Sequence, residues 1–258
     1  MKKILFIALL SPLSLIAQDA SQVSEVKYHS LEKDNIIKTN LFSLVINNYN
    51  ITYERKIGRK FTASAGFRYM PKSTIPFKST VENFIASPDV NINDFKIGNT
   101  AFTGELRWYA GKKAMRGFYI APYIRYANFV ASLPVENPSN DPATNLTYAP
   151  IIFDGKVTSF SGGLMFGVQY NLSKSLVIDF WILGAHVGKS NGVLTASNIQ
   201  PGMDQATQDD LQLTLNDLHS AGPFSFDGKV LSANSAEIKS SGPWAGLRAF
   251  ALSLGYRF

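Results

Sequence analysis

The sequence predicts an all-β protein, an eight-stranded antiparallel transmembrane β-barrel. Three observations predict it. Segments of roughly nine to twelve residues alternate between apolar and polar side chains, and a tilted strand of about that length crosses a bilayer. After the first connection, the linkers between these segments run short, long, short, long, short, long. Barrels of the outer membrane have this asymmetry, with short periplasmic turns and longer external loops. Beyond the opening segment, no apolar run is long enough for a spanning helix, so a membrane can be met only by strands.

The last ten residues, AFALSLGYRF, show the two-residue rhythm most plainly. Phe250, Leu252, Leu254, Tyr256 and Phe258 share one face; Ala251, Ser253, Gly255 and Arg257 share the other. A soluble sheet also alternates, but its apolar face must then be covered by other elements. A soluble sandwich has no reason to sort its connections by length and parity, so the connections decide for the barrel.

The chain opens MKKILFIALLSPLSLIAQDA. Lys2 and Lys3 precede an apolar stretch from Ile4 to Ile16, which reads as a secretory signal peptide over residues 1–18 rather than a buried helix. The formal charge of +6 falls to +4 once Lys2 and Lys3 are removed, and the remaining charge is spread along the chain. No basic cluster suggests nucleic acid. With no cysteine there is neither a disulfide framework nor thiolate chemistry. Residues 19–35 are polar and form a periplasmic lead-in; residues 36–258 form the barrel.

The strands follow in order. The first covers 36–44, with Ile37, Thr39 and Leu41 outward and Lys38 and Asn40 inward. In the second, 49–57, Tyr49, Ile51, Tyr53 and Ile57 oppose Asn50, Thr52, Glu54 and Lys56, while Arg55 breaks the outer face. Gly58-Arg59-Lys60 is a tight turn into the third, 61–69, where Phe61, Phe67 and Tyr69 oppose Thr62, Ser64 and Arg68. A long stretch runs to about Gly98 before the fourth, 100–109, with Phe102, Leu106 and Trp108 against Thr103, Glu105 and Arg107. The fifth, 118–129, sets Ile120, Ile124 and Tyr126 against Tyr119, Tyr123 and Arg125. Pro122 falls inside it, where a closed barrel wants every N–H paired, so a bulge is expected there. After a second long stretch come 156–171 and, past a short turn, 175–186, with Asp179 and Trp181 inward. A third long stretch from Val187 to about Trp244 precedes the last strand. Aromatic residues fall near both ends of the outer face, Phe61, Trp108 and Tyr170 at the inner rim and Tyr69, Tyr126 and Phe160 at the outer, as interfacial girdles require.

The pentapeptide FDGKV occurs twice, at 153–157 and 226–230. Asp-Gly is a hairpin-turn signal, so the repeat reads as two local turns or strand starts above the membrane. The sharper reading, two further strands and a total of ten, lacks the alternating runs it would need. Leu211, Leu215 and Leu218 have helical spacing, which suggests a short surface helix in the third long stretch.

An eight-stranded barrel is just wide enough to be filled by side chains. The inward set contains Lys38, Glu54, Lys56, Arg68, Glu105, Arg107, Arg125, Asp179 and Arg257. Charges of both signs in such a lumen must pair, so an ion-pair network plugging the barrel is expected, rather than a conduction path. No His, Asp and Glu grouping has metal-ligand spacing, and no cofactor motif is present. His29 and His219 lie in polar segments. His186 and Ser190 are the residues an acyl-transfer chemistry would use, but His186 falls on the lipid-facing parity and no acid stands beside it to orient it.

KTNLFSLVINNYNITYERKIGRKFTASAGFRY resembles the opening of a widespread family of uncharacterised Gram-negative outer-membrane barrels, through Lys38, Thr39, Asn40, Leu41, Tyr53, Glu54 and Gly58. The resemblance is best over residues 36–126. Tyr256 and the terminal Phe258 are similar to the signal read by the barrel-assembly machinery, and the whole is similar to OmpA-like and OmpX-like small barrels. The resemblance implies a fold and the cell outer membrane; it transfers no catalytic residue. The expected protein is a monomeric, non-enzymatic barrel in contact with outer-membrane lipid and lipopolysaccharide, with a structural or surface-interaction role in its external loops. The alternatives are a lipid A-modifying barrel enzyme and a narrow channel.

Overall fold

The computed structural model describes residues 33–74, 95–135, 137, 148–200, 202–217 and 225–258. The expected signal peptide, most of the lead-in, His29, Leu218 and His219 lie outside these residues. Among the described residues there are nine strands: β1 (Asn35–Asn40), β2 (Tyr49–Lys56), β3 (Phe61–Thr74), β4 (Lys96–Tyr109), β5 (Gly117–Val135), β6 (Ile151–Asn171), β7 (Leu176–Ser197), β8 (Ser225–Ser232) and β9 (Ser235–Arg257). The same residues form two helices, α1 (Leu41–Leu44) and α2 (Gln205–Asp217). None is long and apolar enough to cross a membrane among the described residues.

Eight strands close a ring. Each pairs antiparallel with its neighbour from β1 to β7, β7 pairs with β9, and β9 returns to β1. Over the span where β1 meets β9, Ser253–Arg257, the closure removes the sheet edges that would otherwise expose unpaired backbone. At the seam, Asn35 and Phe258 exchange backbone hydrogen bonds of 3.0 and 2.9 Å. The ninth strand, β8, is not part of the ring: it forms a hairpin on the far end of β9, with Phe226 opposite Ser240 and Lys229 opposite Glu237. The second FDGKV copy is therefore this extra strand, and the first is the start of β6.

Several segments expected as loops are strand. β5, β6, β7 and β9 run for 19, 21, 22 and 23 residues, about twice what a bilayer crossing takes. The outer halves of β6, β7 and β9 carry polar residues on the exposed face, such as Lys156, Lys189, Asn191 and Ser241, and lose the apolar alternation that marks their inner halves. The first strand, expected to reach residue 44, ends instead at Asn40. There Asn40 Oδ1 accepts from Ser43 N, and Asn40 N donates to Asn50 Oδ1 at 2.9 Å, so polar side chains replace the ladder and Leu41–Leu44 form one helical turn. No bulge marks Pro122. The register on both sides of β5 is unbroken there, and the β4–β5 ladder omits only the positions opposite Ala121 and Pro122.

A bulge appears instead where none was expected. β6 pairs Gly167 with Trp181 and Phe166 with Leu183, leaving Ile182 over. β9 pairs Trp181 with Ala251 and Leu183 with Ala249, leaving Phe250 over as well, in the left-handed conformation at φ 54°. The two extra residues lie opposite each other. They reverse which parity points inward: Asp179 and Ser253 are buried below the bulge, His186, Ser190 and Ile238 above it.

The outer face carries exposed aromatic and aliphatic side chains in two rows. Phe61 stands opposite Trp108 in one; Phe102, Tyr126 and Phe160 are consecutive partners in the other. Two buried apolar clusters lie inside the ring. Met115 and Ala114, from the β4–β5 turn, join Ile36, Tyr109, Tyr119 and Val177 at one end. Leu211 and Leu215 of α2 join Phe153, Leu194, Ala236 and Ile238 at the other. The helix expected on the surface thus contributes fully buried leucines to a core.

Candidate functional site in the barrel lumen

Between the two apolar ends, the lumen holds two polar layers. The lower layer is a closed ion network. Lys38 Nζ donates to Glu54 Oε2 at 2.5 Å, Asp179 Oδ2 at 2.7 Å and Gln169 Oε1 at 3.1 Å. Arg107 reaches Asp179 Oδ2 at 2.6 Å through Nη1, and Glu105 Oε2 at 2.9 and 2.7 Å through Nε and Nη2. Thr62 and Tyr109 hydroxyls each donate to Glu54 Oε1 at 2.7 Å, and Tyr119 OH donates to Asp179 Oδ1 at 2.8 Å. Both oxygens of Glu54 and of Asp179 are thereby filled. Lys38, Glu54, Arg107 and Asp179 are all at least 97% buried by side chain, so each charge depends on its partners rather than on water.

Seven strands supply these side chains, and β9 supplies room. A Cβ on Gly255 would stand 2.7 Å from Lys38 Cγ, and one on Gly167 would stand 2.4 Å from the Tyr119 ring. Only glycine lets the lysine stem and the tyrosine lie flat across the wall.

The upper layer is organised differently. Arg68 donates twice to Asn99 Oδ1, at 3.0 and 2.6 Å, and Arg125 donates to Thr103 Oγ1 at 3.0 Å. Arg248, from β9, lies 4.3 Å over the Trp181 ring and 4.9 Å over that of Tyr123. The Glu105 carboxylate stands near it, with Nη1 3.8 Å from Oε1. His186 Nδ1 and the Tyr123 hydroxyl are 3.1 Å apart, and glycines at 163 and 246 make space for the two rings.

The nine charged residues expected in one network are thus divided. Lys38, Glu54, Glu105, Arg107 and Asp179 come together in the lower layer. Arg68 and Arg125 belong to the upper layer. Lys56 is a correction: it meets Asp34 at 3.3 Å at the mouth, where both side chains are partly exposed, because it sits at the end of β2. Arg257 is another, placed at the same rim, where its backbone N–H donates to Ser175 O at 2.7 Å. His186 is a third. It points into the lumen, because the bulge at Ile182 reverses the parity that put it outside. Ser190 shares that inner face but lies about 13 Å further along the strand, and its Oγ donates to Gly242 O at 3.4 Å. The two do not form a nucleophile–base pair. Tyr256 and Phe258 stack on the outer face with ring centroids 6.3 Å apart.

Sequence reasoning left out Tyr109 and Arg248, and placed Gln169 on the inner face without giving it a part in the network. Strict alternation along β4 would have found Tyr109, two residues beyond Arg107. Arg248 carried no signal, since its inward direction depends on the bulge at Phe250. Toward the outer end, Lys72 donates to Asp154 Oδ1 at 2.6 Å, and Ser132 also donates to that oxygen; these contacts hold the Asp154 carboxyl below the usual carboxylate range. Among the described residues no grouping of His, Asp and Glu could hold a metal ion.

No curated protein matches the chain. Among solved structures it is similar to the crystal structure of the beta domain of the Bordetella autotransporter Brka, at 10% identity and a TM-score of 0.33, over 87% of this chain and 98% of that one. A family model described as Protein of unknown function (DUF3575) matches residues 20–188, well over half the chain and every charged member of the lower network; the protein belongs to that family.

Proposed function

We propose that this protein is a small integral barrel of the bacterial outer membrane, with a lumen closed by its own side chains and a structural or surface-interaction role at its outer end. The observation that carries this reading is the inverted distribution of polarity. Charged residues such as Arg107 and Glu54 are fully buried, while Phe102, Tyr126, Phe160 and Leu164 stand exposed on the outside of the same strands. A water-soluble barrel would gain nothing by that arrangement, whereas lipid covers the outer face without any further protein. Phe160 and Tyr170, both exposed on β6, are ten residues apart. That is about 33 Å along the strand and about 25 Å along the normal at a tilt of ~40°, which matches the apolar band of such barrels.

The loop parity supports the orientation. The turns at 57–60, 110–116 and 172–175 are short and lie at the end where Asn35 meets Phe258. The opposite end carries α2, β8 and the long strand extensions, which form the face available to partners outside the cell. We assign no catalytic role: His186 is bonded to Tyr123 and Ser190 to a backbone carbonyl. The lipids around the barrel, lipopolysaccharide included, and the assembly machinery that reads Tyr256 and Phe258 are the contacts this reading implies.

Membrane fractionation of a Gram-negative host expressing the full chain tests it. The protein should sediment with the outer membrane, resist alkaline carbonate and be released by detergent. Recovery as a detergent-free soluble monomer would overturn the reading.

A further inference from the structure

The two lumen layers are not electrically equivalent. The lower one holds two cations, Lys38 and Arg107, against three carboxylates, Glu54, Glu105 and Asp179. The upper one holds Arg68, Arg125 and Arg248, so the two layers together carry two more positive than negative charges. Among the described residues the carboxylate that reaches the upper layer is Glu105: its Oε2 takes two bonds from Arg107, and its Oε1 stands 3.8 Å from Arg248 Nη1, one carboxylate for three guanidiniums. The three guanidiniums share one space: Arg68 lies within electrostatic reach of Arg248, and Arg125 within reach of both others and of Glu105. The register explains how they meet. Arg68 and Arg125 lie on neighbouring inner positions of β3 and β5, while Arg248 reaches across the lumen to Tyr123, two residues from Arg125.

Unused donors face the same space. Arg248 Nη1, Trp181 Nε1 and Ser161 Oγ are buried without a hydrogen-bond partner. Ser161 is the register partner of Arg125, and Trp181 lies directly under Arg248. Clustered, desolvated guanidiniums with spare N–H groups are costly alone and fit a tetrahedral oxyanion, whose oxygens accept from forked donors. Stacking on two rings holds the Arg248 fork in place before any ligand arrives.

The wall next to this layer is incomplete. β1 pairs with β9 only from Ser253 downward and β8 only from Ser241 upward, so among the described residues Gly242–Leu252 has no strand on that side. Arg248 sits within this notch. The apolar turn that begins at Leu41 follows Asn40, the last residue of β1 to pair with β9, and its helical part packs against β9, with Phe42 and Val45 exposed.

We propose that the upper lumen layer binds a phosphate group between Arg248, Arg125 and Arg68, admitted through the notch beside β9. The phosphate is either free or the head of a lipid whose chains rest on the Leu41–Ile46 turn.

The test uses the full chain with Trp108→Phe and Trp244→Phe, which leaves Trp181, beneath Arg248, as the single fluorescent reporter. In detergent, inorganic phosphate is titrated against chloride at matched ionic strength. In a second arm the protein is placed in phosphatidylcholine nanodiscs with and without phosphatidic acid. A saturable change in Trp181 emission is expected in at least one arm. Arg248→Gln and Arg125→Gln should each weaken it by about tenfold or more, and Lys189→Gln, on the exposed outer face, should not. Response to inorganic phosphate identifies a free oxyanion; response to phosphatidic acid alone identifies a lipid headgroup. Circular dichroism checks that the variants keep their strands. Should the glutamine variants fail to fold, Arg248→Lys, which keeps the charge and loses the fork, is expected to bind more weakly than the parent. No response in either arm, or a response that the arginine variants leave unchanged, would overturn the proposal.

Discussion

Arg107 shows how much one side chain can hold in this lumen. It bonds Glu105 and Asp179, stands 3.4 Å from Glu54, and lies 4.5 Å over the Tyr119 ring, all with no exposure of its side chain. Removing it leaves three buried carboxylates with Lys38 as their one remaining cation in the layer. Arg107→Ala should cost about 3–5 kcal/mol of unfolding free energy. Lys56→Ala offers the contrast. Its pair with Asp34 is 24% and 46% exposed by side chain, so solvent screens it and the cost should stay below ~1 kcal/mol. Urea unfolding of both variants in the same detergent checks the pair; equal losses would mean that burial does not set the value of these contacts. These residues were legible from alternation alone wherever the strand is regular. Lys38, Glu54, Glu105, Arg107 and Asp179 all lie on the inner parity, and all are found inside.

At the scale of the element, regularity is what fails. Ile182 and Leu183 are adjacent and both exposed, as are Ala249 and Phe250 in part, because each strand carries one residue outside the two-residue repeat. A bulge has no composition of its own here. Ile182 and Phe250 are ordinary strand residues, and Phe250 adopts a positive φ that L residues seldom take. His186 and Arg248 were therefore unreadable as lumen residues. The chain contains no cysteine, so single cysteines report orientation without background. Ile182→Cys and Leu183→Cys should both react with a lipid-soluble maleimide in nanodiscs, while Trp181→Cys and Gly184→Cys should not. Reaction at only one of the two neighbours would mean an unbulged strand. The short first strand is a similar case: Asn40, Ser43 and Asn50 satisfy one another and turn Leu41–Leu44 into a helix, and an apolar LFSL gives no warning of it.

For the whole molecule, the lumen is closed in series. Met115 and Ile36 lie at the inner end, the ion network above them, the arginine layer next, and Leu211, Leu215 and Phe153 at the outer end. An ion would have to break several buried contacts at once. The purified protein should therefore add no ohmic steps to a planar bilayer, and regular conductance steps would refute a side-chain-filled lumen. The outer half is the part the sequence hid most fully. Strand patterning was expected from lipid contact, and where β6, β7 and β9 run past the aromatic rows their outer faces turn polar and read as loop. What keeps them paired there is the core under α2, which joins residues from five separate elements.

The sequence by itself determined the barrel, its eight wall strands, the end at which the turns are short, and the inward charges of the regular strands. Those follow from a repeat of two, a local property that each segment carries alone. Tertiary structure decided how those charges divide into a matched layer and an unmatched one, where β9 lacks a second neighbour among the described residues, and which way His186 and Arg248 point. Those outcomes depend on register and on single inserted residues, which are fixed by pairing between strands far apart in the chain and leave no mark on either one.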